Sequence, residues 1–160
     1  MAAKMSYVVS GLPLEPFRPL FGLSDEALAE RGVVRCAVDA NPGFPCRVTL
    51  EDALPGETVL LLSYEHQSAA TPYRSRHAIF VSEQARETCR VAGEIPGALR
   101  VRKAISLRAF DAAGMMVDAE LATGDALEPV IARMFAQAEV AYIHAHNAAQ
   151  GCYAARIDRG

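Results

Sequence analysis

His144 and His146 stand two positions apart in AYIHAHNAAQGCYAAR, residues 141–156, and the chain returns through Gly151 to Cys152. Imidazole and thiolate are ligands of zinc and partners in thiol catalysis. On a strand, Val140, Tyr142, His144 and His146 share one face and Ala141, Ile143 and Ala145 the other. The two histidine Cα atoms then lie about 6.8 Å apart, close enough to converge on one ion. On a helix they diverge by about 200°, so a metal reading requires the strand. Loop length decides whether the thiol joins them. A four-residue loop, Asn147 to Gln150, pairs His146 with Gly151 and turns Cys152 away; a five-residue loop pairs His146 with Cys152. The sequence leaves both registers open.

A structural zinc site takes four ligands and a catalytic one three. The stretch supplies two, and Cys152 as a third only if the longer loop forms, so Cys46, His66 or His77 would have to complete a centre. No metal is assigned, and histidines hydrogen-bonded at a sheet edge are the favoured reading. Thiol chemistry needs a thiolate beside a base, which Cys46 or Cys152 with His66, His144 or His146 would provide. Cys36, in the alternating VVRCAVDA, and Cys89, among charges, are expected only to pack. Arg47, Arg74, Arg76, Arg108 and Arg156 lie on strands or adjoining loops, where converging guanidinium groups bind carboxylate or phosphate. Tyr73 can wall such a site. The candidate pocket is therefore Cys46, Arg47, His66, Tyr73, His146, Asn147 and Cys152. No Gly-rich phosphate loop, G-x-S-x-G or H-E-x-x-H is present, and no reaction or cofactor is named.

These residues must be held by a scaffold. TVLLLSYEH and HAIFVSE read as strands on either side of the polar connection QSAATPYRSR. ISLRAFD and MMVDAEL form a hairpin through Gly114. VVRCAVDA and CRVTL read as extended segments around the NPGFP corner. Ser24 caps a short helix ending near Gly32. The one strong helix spans 125–138, with Asp125 and Glu128 in capping-box relation, Pro129 in its first turn, and an apolar face of Leu127, Val130, Ile131, Met134, Phe135 and Ala138. The expected fold is α+β: a mainly antiparallel sheet of six or seven strands with that helix on one face. The chain reads as one domain, residues 1–160, whose segment 1–23, rich in proline, is a wrapping arm.

Composition narrows the partners. With 51% apolar residues in a 160-residue chain, a core burying roughly 70% of the unfolded surface is available. Sixteen basic against nineteen acidic side chains give a net charge of −3, which attracts no polyanion, so nucleic acid is not an expected partner. No window approaches a membrane span of about 18 apolar residues, and the N-terminal apolar run is too short for a signal peptide. Cytoplasmic residence is expected, with the four cysteines, none in a C-x-x-C pair, kept reduced.

PGFPCR (42–47), LLLSYEHQ (60–67), TPYR (71–74), IFV (79–81), GMMVDAEL (114–121) and HNAAQGCYAARID (146–158) together resemble a bacterial family of domains of unknown function, number 1203. The resemblance implies a single-domain bacterial protein and transfers no activity. The expectation is a small-molecule-binding protein, enzymatic if the pocket is reactive; the alternative is a noncatalytic interaction or regulatory module, a homodimer being compatible with it.

Overall fold

The computed structural model describes residues 6–160; residues 1–5 of the expected arm lie outside that range. The strands in chain order are β1 (Tyr7–Ser10), β2 (Val34–Ala37), β3 (Thr58–Gln67), β4 (Ser75–Ser82), β5 (Arg90–Ala92), β6 (Ile105–Phe110), β7 (Met116–Ala122), β8 (Tyr142–Asn147) and β9 (Tyr153–Arg159). The helices are α1 (Asp25–Glu30), α2 (Gly97–Arg100) and α3 (Leu127–Phe135). The fold is α+β with mainly antiparallel strands. They divide into a six-stranded sheet, β5-β1-β9-β8-β6-β7, and a three-stranded sheet, β2-β3-β4. No helix among the described residues is long and apolar enough to cross a membrane.

Alternation gives the large sheet two faces of different chemistry. Leu107, Ala109, Ile143, Ala145, Ala155 and Ile157 pack with Val9 against Leu127, Ile131, Met134 and Phe135 of α3. The opposite parity carries Ser106, Arg108, His144, His146, Tyr153 and Arg156, aligned by the pairs Arg108↔His144↔Arg156 and Ser106↔His146↔Tyr153. This polar side receives the histidines of the small sheet. At the outer edge, Arg133 of α3 reaches back to Asp118 at 2.9 Å and to Glu120, both on β7.

Several elements differ from the sequence reading. The strong helix begins at Leu127, after a 3-10 turn at Gly124–Ala126, and ends at Phe135. No side-chain cap hydrogen bond forms at the start of either turn, and the Glu128 carboxylate accepts the Tyr7 hydroxyl at 2.8 Å. CRVTL is not a strand: Cys46 makes one isolated bridge to Phe80, and the chain then turns. Val34, on the same strand face as Cys36, is 57% exposed; β2 is an edge, and Arg35 beside it reaches Glu83 at 2.8 Å and the Leu23 carbonyl at 2.6 Å. Within the arm, Tyr7–Ser10 pairs with β9 and β5. The capped helix at Ser24 is as read, its Oγ accepting from the Ala27 N–H at 3.1 Å.

Gly11 brings the arm against the loop that carries Arg47. Leu12 N–H donates to the Arg47 carbonyl at 2.8 Å, and a Cβ on Gly11 would lie 2.1 Å from the Val48 carbonyl oxygen. Gly11→Ala is therefore expected to cost about 1–3 kcal/mol, as overpacking does, lowering the thermal midpoint by several degrees. A melting curve superimposable on the parent's would refute this close approach.

Candidate metal centre

The chain contains four histidines, and the fold brings all of them to one place between the two sheets. His144 and His146 come from β8 by strand parity. His66 comes from β3, where the ladder skips from Glu65 to Gln67 and leaves it as the extra residue of a bulge. Bulges re-aim side chains in this way. His77 stands on β4 opposite Tyr64. The His66 ring lies between His77, at a centroid distance of 4.7 Å and 6° from parallel, and Tyr153, at 5.2 Å and 12°. The rings of His144 and His146 meet it edge-on at 6.0 and 5.0 Å.

Hydrogen bonds set the ring orientations. His146 Nδ1–H donates to the Gly151 carbonyl at 3.0 Å, which leaves Nε2 with a lone pair. A 2.7 Å hydrogen bond joins His77 Nδ1 and His66 Nε2, one nitrogen donating and the other accepting. Nδ1 of His66 and Nδ1 of His144 are buried without a partner. One ring nitrogen each from His66, His144 and His146 lies within 4.8 Å of one from each of the others. Tetrahedral zinc with bonds of about 2.0–2.1 Å needs ligand atoms about 3.4 Å apart, so modest side-chain rotation would close the set.

The electrostatics keep these rings neutral, the form that binds metal. Burial pulls His144 and His146 down to about 3 and His66 to about 4, reinforced by the neighbouring imidazoles and by Arg108. His77 is lowered by burial and then by Arg108. Arg108 donates to Ser106 Oγ at 3.2 Å, and no carboxylate among the described residues pairs with it.

Other expected site residues assemble nearby. The β8–β9 turn is resolved in neither of the two anticipated registers. Residues 148–151 form the loop, Asn147 N–H donates to the Cys152 carbonyl at 2.9 Å, and a bulge at Ala154 sets Tyr153 opposite His146. Tyr153 thus takes the place beside the histidines that the longer loop would have given the thiol. Cys152 instead meets Arg47, whose Nη2 donates to Sγ at 3.0 Å, and Asn147, whose Nδ2 lies 3.7 Å from it. Arg47 Nε donates to the Tyr153 carbonyl at 2.7 Å, tying this group to the ring stacked on His66.

Cys46 and Tyr73 join neither group. Cys46 is buried with Ile79 and Val81, and its sulfur accepts the Ser82 N–H at 3.2 Å. Tyr73 lies on the surface with its ring 6.2 Å from Phe110. Arg74 is engaged by Glu65, Arg76 by Ser63 and Arg156 by Asp158. Cys36 packs at the margin of the Val38 and Val59 cluster. Burial raises the Cys89 thiol, as do Glu51 and Glu94. The candidate pocket did not include His77 or His144, although His-x-His on an alternating strand and two further histidines at the ends of an adjoining strand pair were the available signal.

A two-sheet α+β protein with an imidazole cluster between its sheets is the class these features define. The chain belongs to a family described as a protein of unknown function, DUF1203, whose model matches residues 43–159. Neither a curated protein nor a solved structure matches it.

Proposed function

We propose that the protein binds a divalent transition metal through His66, His144 and His146, with His77 orienting His66, and presents that metal to a small anionic ligand. The observation that carries this reading is the convergence of three neutral imidazoles, two of them with an unpartnered buried Nδ1. A buried polar atom without a partner is costly, and a cation would satisfy both at once. If His66 Nε2–H donates to His77, its Nδ1 keeps a lone pair. The His146 bond to Gly151 does the same for Nε2. Such outer hydrogen bonds are the usual supports of metal-bound histidine. An all-imidazole set suits zinc, copper, nickel or iron rather than magnesium or calcium. Three neutral ligands leave the ion's charge uncompensated, and Arg108 adds to it, so an anion completes the shell.

The bacterial and cytoplasmic setting belongs to the same proposal, and four unpaired cysteines suit a reducing compartment. Untagged protein stripped with a chelator is expected to bind one zinc or cobalt ion per chain in calorimetry. The cobalt form should show the visible absorption of a four- or five-coordinate site. Failure to bind either ion more tightly than free imidazole would reject the reading and favour the interaction or regulatory module, with the histidines serving only packing.

A further inference from the structure

On the polar face of the large sheet, β9, β8, β6 and β7 lie side by side. Their register sets one row from Arg156 through His144 and Arg108 to Ala119, and the next from Tyr153 through His146 and Ser106 to Leu121. Residues directly opposite in antiparallel pairs project on one side, and neighbouring strands are about 4.8 Å apart. Arg108 therefore stands one strand from the imidazoles of β8, and Leu121 lies one strand further out. The two arginines of the first row differ. Arg156 is held by Asp158 at 2.9 Å and lies over the Tyr142 ring at 4.4 Å. Arg108 commits only Nε, to Ser106 Oγ. Its Nη1 and Nη2 bond to nothing among the described residues, and neither is sealed from solvent. Burial lowers its pKa with no acidic group to oppose the shift, and its charge bears on all four histidine rings. A half-buried cation with open donors beside a metal-binding cluster calls for an anion. Beyond it, exposed Ala119 and Leu121, the latter 66% exposed, leave an open apolar shelf.

We infer that, with a metal at His66, His144 and His146 as proposed above, the ligand is a short aliphatic monocarboxylate that bridges the metal and Arg108 and lays its chain over Ala119 and Leu121. One carboxylate oxygen completes the metal's shell while the guanidinium fork binds the head group, a planar match that arginine offers and lysine does not. Inorganic phosphate has no apolar part to place on β7. A dicarboxylate would set its second charge against that shelf, at a desolvation cost.

The test is titration of cobalt-loaded protein with butyrate, acetate, azide and phosphate, the visible absorption reporting ligands on the metal. Butyrate is expected to bind about threefold tighter than acetate, and tighter than phosphate. Leu121→Ser, at a surface position, should erase the margin over acetate. Arg108→Lys keeps the charge and removes the fork, so it should weaken butyrate about tenfold. Azide, which needs only the metal, should bind that variant as it binds the parent, and cobalt affinity should hold as well. Failure of the parent chain to bind cobalt rejects the metal reading and the bridge with it. With cobalt bound, three results overturn the bridge alone: unchanged butyrate affinity in Arg108→Lys, an equal loss toward butyrate and azide, or phosphate binding tighter than butyrate. The ranking of the anions on the parent chain decides the matter if Arg108→Lys does not fold.

Discussion

Alanine at His144 or His146 is expected to weaken zinc binding at least a hundredfold, whereas alanine at His77 weakens it by about tenfold. The gradation follows from position. In the proposed centre His144 and His146 each contribute a ligand nitrogen, and a three-imidazole set reduced to two no longer meets the ligand count of a zinc site. His77 reaches the ion only through the ring of His66, and loss of an orienting hydrogen bond costs metal affinity about 10–100-fold. Competition against a chromophoric chelator at pH 7.5 would measure both effects. Equal losses at His77 and His146 would make His77 a ligand in its own right; no loss at His146 would remove the centre. His146→Ala also vacates the bond to Gly151, so circular dichroism should accompany the titration.

Metal-free protein should also be acid-labile. His144 and His146 are 3% and 1% exposed, and burial chiefly holds both at about 3 in the fold, against about 6.5 in an unfolded chain. Their folded values are depressed, so below about pH 6.5 the unfolded chain takes up protons that the folded one excludes. Stability is complete above that point and falls as pH drops toward 3. Within that window each buried ring removes about 1.4 kcal/mol per pH unit, on the order of 3 kcal/mol for the pair. His66, half-buried and held at about 4, adds a smaller share. Against a total of about 5–15 kcal/mol at neutral pH, that loss is a large share, so the metal-free fold should weaken steeply below about pH 6. Urea midpoints at pH 7, 6 and 5 would show the slope, and His144→Asn with His146→Asn should flatten it. A midpoint constant from pH 7 to 5 would mean that the rings take up protons in the fold as readily as in the unfolded chain.

The hairpin β6–β7 is legible in the sequence because both halves alternate and Gly114, at φ +84°, makes the turn available. β8 is legible for the same reason, and with it the shared face of His144 and His146. The helix packed on the sheet is legible from Leu127, Ile131, Met134 and Phe135. What local pattern does not carry is partnership across distance. Tyr7 pairs with Arg159, and nothing in a four-residue strand announces that. One expected sheet becomes two because alternation states which residues face a core, not which core. The bulges at His66 and Ala154 are single extra residues without a composition of their own, yet they aim His66 and Tyr153 into the centre. Arg47 and Cys152 were both candidates, but their contact joins positions 105 residues apart, and only the closed fold brings them together.

The large sheet's borders also bear on how the molecule behaves in crowded solution. One rim is only Arg90–Ala92; the other presents acidic side chains bridged by Arg133. A neighbouring copy seeking to extend the ladder would find few free amides on the first and a charged barrier on the second. Fibrous growth by lateral accretion is thereby discouraged without any loss to the interior.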